Sequence, residues 1–412
     1  MENQAYRIPE KDKQILRDLA RRVAVHAADP LQDKKRRLWT LHNDLKTDEP
    51  VVFIDPENGW NEIFPAASLQ CGHKLAREWE MELRKRLFHA EHLKDDFVID
   101  DIFSVPFASS DDGWGVEIVH EGVGTGKAYH VTPAIEDYEE DFQKLHFPNI
   151  IIDEAASGQL LEAAQDTFAG ILKVDRYMQW WWSMGMTRWF IDLRGLENFL
   201  CDFILEPEWM HRMMDMLCSG VLTQIDKLEK QGLMFSNNGN RYVGSGGYGF
   251  TKELPELSGS VLTGQMWGFV ESQETSSVSP EMYGEFIFPY HKKILERFGL
   301  NCYGCCETFE GRWEYVSQFP RLRRVSCSPW SDRALAADIL GKNYIASHKL
   351  SPTPLASPQM NEAEVRKNIR EVLDHAQGTI PELIMKDNHT LGGQPQNAVR
   401  WVELVREEIA NT

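Results

Sequence analysis

NCYGCCETFEGRWEYVSQFPRLRRVSCSPWSDRALAADILGKNYIASHK, residues 301–349, decides the fold, because with the residues that follow to His389 it reads strand, loop, helix four times over. The first apolar run, Phe298 to Tyr303, breaks at Gly304 and passes through Cys305, Cys306 and Glu307 into a helical stretch, Arg312 to Phe319. The second strand, Leu322 to Cys327, leads through Ser328, Pro329 and Trp330 to Asp332, a residue suited to cap the Ala/Leu-rich helix that ends at Gly341. Strand three is Asn343 to Lys349, and its proline-rich loop gives way to Asn361 and Glu364, a capping pair ahead of Val365, Ile369, Val372, Leu373 and Ala376. Gly378 stops that helix. Strand four, Glu382 to Lys386, opens into Asp387, Asn388 and His389, and Pro395 starts a last helix with Trp401, Val402, Val405 and Ile409 on one face.

Strands that alternate with helices of this length pair in parallel, since each helix must cross back over the sheet before the next strand begins. Four such units make half of an eight-stranded barrel, so the pattern predicts an α/β fold, a (β/α)8 TIM-type barrel. In a barrel the loops at the C-terminal ends of the strands carry the chemistry, which directs Cys305, Cys306, Glu307, Trp330, His348 and His389 toward one mouth. A doubly wound open sheet is the rival, with the same loops along one edge.

At 412 residues the chain exceeds the roughly 250 of a bare barrel. Residues 1–145 are therefore expected to supply a helical and mixed N-terminal extension with the first elements, and residues 146–412 the main part of the barrel, the whole forming one structural domain. Glu10 to Ala27 has helical spacing, Val51 to Ile54 reads as a short strand, Leu75 to Leu93 as a charged amphipathic helix and Asp95 to Val105 as a strand; residues 108–145 suggest hairpins and loops. Glu206-Pro207 and Ser279-Pro280 each start a helix, the second continuing to Phe298. Glycines 244, 246, 247 and 249 lack the strand-to-helix frame of a phosphate loop.

A formal charge of -19 argues against a nucleic-acid partner, and the basic run Lys34 to Arg37 is expected to be a solvated helix face. No apolar stretch approaches the ~20 residues of a membrane span. The polar start, Met1 to Asp12, and seven cysteines without a secreted spacing predict reduced thiols and a cytoplasmic protein, monomeric or homodimeric.

The Glu206-Pro207 helix, the Ser279-Pro280-Glu281 start followed by Pro289-Tyr290, the strand ending Tyr303-Gly304-Cys305, and the Pro395-Gln396-Asn397 helix resemble the uroporphyrinogen decarboxylase superfamily over about residues 150 to 410. The resemblance implies a single α/β barrel, and it is closer to the zinc-dependent methyltransferases that pass methyl groups to or from a corrinoid protein or a thiol. Two departures stand out. The Arg-rich N-terminal motif of true decarboxylases has no counterpart before Trp39, and where the methyltransferases show His-x-Cys and a later Cys, this chain offers Tyr303-Gly304-Cys305 and Asn388-His389.

The expectation is thus a zinc-dependent methyltransferase that demethylates a small methoxylated or methylated compound, aromatic or not, and transfers the methyl to a corrinoid (cobalamin) carried by a separate protein. Cys305, Cys306, Glu307 and His389 are the candidate Zn2+ ligands; Glu271, Gln273 and Tyr303 are the candidate catalytic residues, Glu271 and Gln273 as groups that orient substrate. Each thiol read alone is equally a buried core residue, His389 a polar loop residue, and the cluster of Trp180, Trp181, Trp182 and Trp189 either packing or the wall of an apolar pocket. Two alternatives stand beside this: a related lyase acting on a smaller carboxylic acid, and an inactive ligand-binding relative.

Overall fold

A computed structural model describes residues 5–121, 130–178, 181–257 and 259–412. Its strands are β1 (Val51–Ile54), β2 (Ile102–Pro106), β3 (Ser109–Asp111), β4 (Val119–Glu121), β5 (His130–Thr132), β6 (Ile150–Ile152), β7 (Lys173–Tyr177), β8 (Tyr242–Val243), β9 (Gly247–Tyr248), β10 (Trp267–Val270), β11 (Leu300–Tyr303), β12 (Leu322–Cys327), β13 (Ile345–Lys349) and β14 (Ile380–Met385). Six of them form one sheet in the order β1-β14-β13-β12-β11-β10. The pairs β1–β14, β10–β11 and β11–β12 are parallel, as alternation with helices requires. A second parallel pair, β2–β7, stands apart from that sheet.

The closed eight-stranded cylinder expected from the sequence is not formed: among the described residues the six-stranded sheet ends at β1 and β10. Both edges have a local cause. The outward amides of β1 are taken by side chains, Val52 N donating to Asp96 Oδ2 at 2.8 Å and Ile54 N to Asp95 Oδ2 at 3.2 Å. Residues 95–101, expected to be strand, therefore stay irregular beside β1, and β2 begins only at Ile102. Along β10 an irregular segment replaces a strand, with Met184 N donating to Phe269 O at 3.1 Å.

The chain divides into two compact units, one of residues 1–108, 152–179 and 347–412, the other of 109–151 and 180–346, the division falling inside β13. In the first, β1 and β14 turn Val52, Ile54, Leu383 and Met385 toward helices Glu362–Leu373 and Gln396–Ala410, while Trp79, Phe103 and Phe168 centre a separate core with helices Glu10–Ala27, Lys74–Phe88 and Glu154–Phe168. Lys35 departs from the solvated face expected for its run. It is buried, donates to Phe97 O at 3.0 Å, and burial draws its pKa below the ordinary lysine value.

In the second unit, helices Pro207–Lys230, Pro280–Phe286 and Phe288–Leu295 accompany β10, β11 and β12. The last two replace the single helix read from Ser279 to Phe298; the break at Ile287 precedes Pro289, which has no N–H to continue the first helix. Ser279 caps as expected, its hydroxyl oxygen accepting from Met282 N at 3.2 Å. The glycine-rich segment folds as the antiparallel hairpin β8–β9.

Candidate functional site

The site is built where β10 and β11 of the second unit end. The pleat turns Trp267 and Phe269 to one face, where they form a buried cluster with Leu300, Cys302, Val243 and Leu254, and Glu271 follows directly on the end of β10. Tyr303 points oppositely. Its ring packs 5.4 Å from Phe319 and 6.4 Å from Tyr283, and burial followed by the nearby Glu307 pushes its phenol up to about 12.

Beyond β11 the chain turns at Gly304 and places Cys305, buried, beside Cys306, partly exposed, with their sulfurs 3.8 Å apart. Cys305 is held at three points. Its N–H donates to Glu307 Oε2 at 2.9 Å, its carbonyl accepts from Ser326 Oγ at 3.0 Å, and its sulfur accepts from Ser245 Oγ at 3.2 Å. Glu307, buried as well, uses its other oxygen to accept from Ser272 N at 2.7 Å, so one carboxylate ties the loop after β11 to the loop after β10.

Glu271 is 2 % exposed. Burial first, then the neighbouring Glu274 and Glu307, push its carboxyl well above the usual range, with Cys305 adding in the same sense. Its Oε2 accepts from Gln273 N at 3.1 Å. Glu274 is raised too, chiefly by burial, against the opposing effect of Thr187 Oγ1, which donates to it at 2.8 Å. Gln273 reaches Glu274 Oε1 from Nε2 at 3.4 Å and is partly buried.

Two buried residues fix these loops from behind. Arg312 donates to Ser272 Oγ at 3.1 Å and to Thr275 O, with its guanidinium 4.6 Å from the centre of the Tyr283 ring. His291 Nε2 donates to Gly185 O at 2.6 Å, and Gly185 lies so close to Glu271 that a Cβ there would stand 1.9 Å from the Glu271 carbonyl oxygen. Burial lowers the His291 pKa to about 4, so the imidazole is neutral at physiological pH.

The structure therefore brings together Glu271, Gln273, Cys305, Cys306 and Glu307, and seats Tyr303 in a neighbouring aromatic layer. His389 belongs to the other unit, exposed in the loop after β14; His348 is buried in β13, and Trp330 is 73 % exposed. Of the tryptophans, Trp180 lies outside the described residues, Trp181 and Trp189 pack with ring centres 4.8 Å apart, and Trp182 meets Phe269 edge-on at 5.0 Å. Sequence reasoning missed Ser245, Thr187, His291 and Arg312. Only Ser245 carried a local hint, a lone serine in a run of glycines.

No family model matches the chain, and no curated protein matches it. Among solved structures it is similar to a methyltransferase from Methanosarcina mazei, with a TM-score of 0.49 and 12% identity over 91% of this chain and 99% of that one. A likeness of that depth speaks to neither ligand nor reaction. No helix among the described residues is long and apolar enough to cross a membrane.

Among the described residues no three His, Cys, Asp or Glu side chains already converge on one point as a metal shell would. The donor chemistry at the end of β11 nevertheless suits a divalent cation. Two sulfurs 3.8 Å apart span the edge of a tetrahedron whose metal–sulfur bonds are about 2.3 Å. Around them the carboxyls of Glu271 and Glu307, both buried, and of the half-buried Glu274 repel one another, a repulsion that a cation held there would relieve. Glu307 retains a second lone pair on each oxygen beyond those accepting N–H.

Proposed function

We propose that the chain is a zinc-dependent methyltransferase that takes a methyl group from a small methoxylated or methylated compound, with Cys305 and Cys306 as the sulfur ligands and Glu307 as the carboxylate beside them. The observation that carries this reading is the pair of sulfurs at a tetrahedral edge, 3.8 Å apart, set against buried, mutually repelling carboxyls. Zinc, when bound, supplies Lewis-acid polarisation of the ether or thioether heteroatom. The acceptor in this reading is the corrinoid of a separate protein.

The chain's own residues perform the rest. Cys305, held at its N–H, carbonyl and sulfur, keeps one donor fixed while Cys306, nearer solvent, can adjust. Glu271, whose neutral form burial and Glu274 favour, would in this reading hydrogen-bond the leaving heteroatom and give it a proton. Gln273 holds Glu271 through its backbone N–H, and Arg312 holds the loop on which both stand.

Elemental analysis of protein purified without chelator tests the reading: about one zinc per chain is expected, falling to a small fraction in Cys305→Ser and in Cys306→Ser. Wild-type protein without zinc, unable to take it up from solution, sinks it. His389→Ala in the same assay decides whether that imidazole belongs to the shell. The neighbouring carboxyls of Glu271 and Glu274, both raised, favour one second reading, a lyase acting on a small carboxylic acid by proton transfer, whose activity would survive chelation.

A further inference from the structure

The hairpin β8–β9 lies against β11 and β12 at distances that only glycine permits. A Cβ on Gly244 would stand 2.9 Å from Cys302 Cβ, and one on Gly247 would stand 2.3 Å from Arg324 Cζ. Those two contacts seat the hairpin on either side of a single residue with a functional side chain, Ser245, which is 2 % exposed and donates to Cys305 Sγ at 3.2 Å.

The seat is stiff. Trp267 Nε1 donates to Gly249 O at 2.9 Å, and Asn237 closes a pair of bonds with the Trp267 backbone, its Nδ2 to Trp267 O and its Oδ1 from Trp267 N, both at 2.9 Å. Asn238 Nδ2 reaches Thr251 O at 3.1 Å and Leu254 O at 3.0 Å on the far side of the hairpin. Arg324, its guanidinium 5.4 Å from the centre of the Trp267 ring, forms the floor beneath Gly247. A glycine run this rigidly held is poorly explained as a flexible loop; it explains a hydroxyl that has to arrive at one sulfur from one direction.

The geometry points to Ser245 as a positioning residue for Cys305: its hydroxyl fixes the sulfur's direction and donates to it when that sulfur is a metal ligand, which distinguishes Cys305 as the fixed donor and Cys306 as the adjustable one. The metal half of this statement rests on the zinc reading above; the placement of the sulfur does not. A hydroxyl donating to a metal-bound thiolate withdraws charge from it, and loss of such a partner weakens metal affinity by roughly ten- to a hundredfold.

Two measurements on the full-length chain, wild type and Ser245→Ala, test it. The first is iodoacetamide labelling of metal-free protein, mapped cysteine by cysteine by mass spectrometry. Cys306 should label readily, Cys305 slowly and Cys302 not at all in the wild type; in the variant the Cys305 rate should shift severalfold, the sulfur gaining access while losing the donor that favours its thiolate, with Cys302 still silent. Cys302 is the control for the hairpin, because Gly244 covers it. An unchanged Cys305 rate overturns the proposal, and so does a joint rise of Cys302 and Cys305, which would make the serine mere packing.

The second measurement is titration with Co2+ alone, reading the thiolate-to-cobalt absorption band. A band that moves in the variant with roughly tenfold weaker binding supports the role in the shell, and identical bands overturn it. Wild-type protein showing no cobalt band while the labelling pattern holds would remove the zinc reading and leave the placement of Cys305 by Ser245 standing.

Discussion

Glu271 is a residue whose charged form the fold resists. Its pKa is raised above the value in the unfolded chain, so the folded state binds its proton more tightly. The stabilising contribution is complete below the unfolded value and disappears as pH rises through the folded one. At neutral pH the substitution Glu271→Gln keeps the shape and removes the burden, and should stabilise the metal-free protein by roughly 1–3 kcal/mol, seen as a higher thermal midpoint. The same variant should lose methyl transfer, and a variant no more stable than wild type would contradict the burial of an uncompensated carboxyl. The sequence set Glu271 and Gln273 in the loop after one strand and Cys305, Cys306 and Glu307 in the loop after the next, and the structure joins those two loops through Glu307. It could not show that Tyr303 turns to the helical layer, because the turn at Gly304 separates the facing of β11 from that of the cysteines. Nor could it show that Arg312 and His291 brace the site, since each acts through contacts far away in sequence.

At the level of elements, the edges of the sheet are where physical detail overrode pattern. The C-terminal strands β12 to β14 and the helices Arg333–Leu340, Glu362–Leu373 and Gln396–Ala410 followed the reading closely, because apolar period, caps and breakers agree there. Asp332 and Asn361 cap as read, accepting from Leu335 N at 3.0 Å and Glu364 N at 3.3 Å. Near β1 the periodicity of residues 95–105 promised a full strand, yet two consecutive aspartates accept the β1 amides directly. Hydrogen exchange tests this arrangement. The amides of Val52 and Ile54 should be protected as in an interior strand, and Asp95→Ala with Asp96→Ala should release both, each variant costing roughly 1–3 kcal/mol. Free exchange at these amides in the wild type would refute it.

For the molecule as a whole, acid stability should be governed in part by His291. Its folded pKa, about 4, lies below the unfolded value near 6.5, so the folded state binds the proton less well. Its stabilising share is complete above the unfolded value and is lost as pH falls from about 6.5 toward 4, on the order of 3 kcal/mol across that window. His291→Gln, which keeps a donor for Gly185, should flatten this acid limb in denaturant melts taken from pH 7 to pH 4. An unchanged slope would place the acid sensitivity elsewhere. Net charge was plain from composition and the parallel α/β class from the alternation of strands and helices, whereas the division into two units was not, because each gathers segments distant along the chain. The aspartate-sealed margin of β1 has an evolutionary consequence as well: a backbone ladder can be lengthened or undone only by changing the course of a whole strand, whereas the two outward amides here are held by the side chains of two neighbouring codons. Descendants of this protein can open or tighten that side of the scaffold by point mutation, leaving every other strand where it lies.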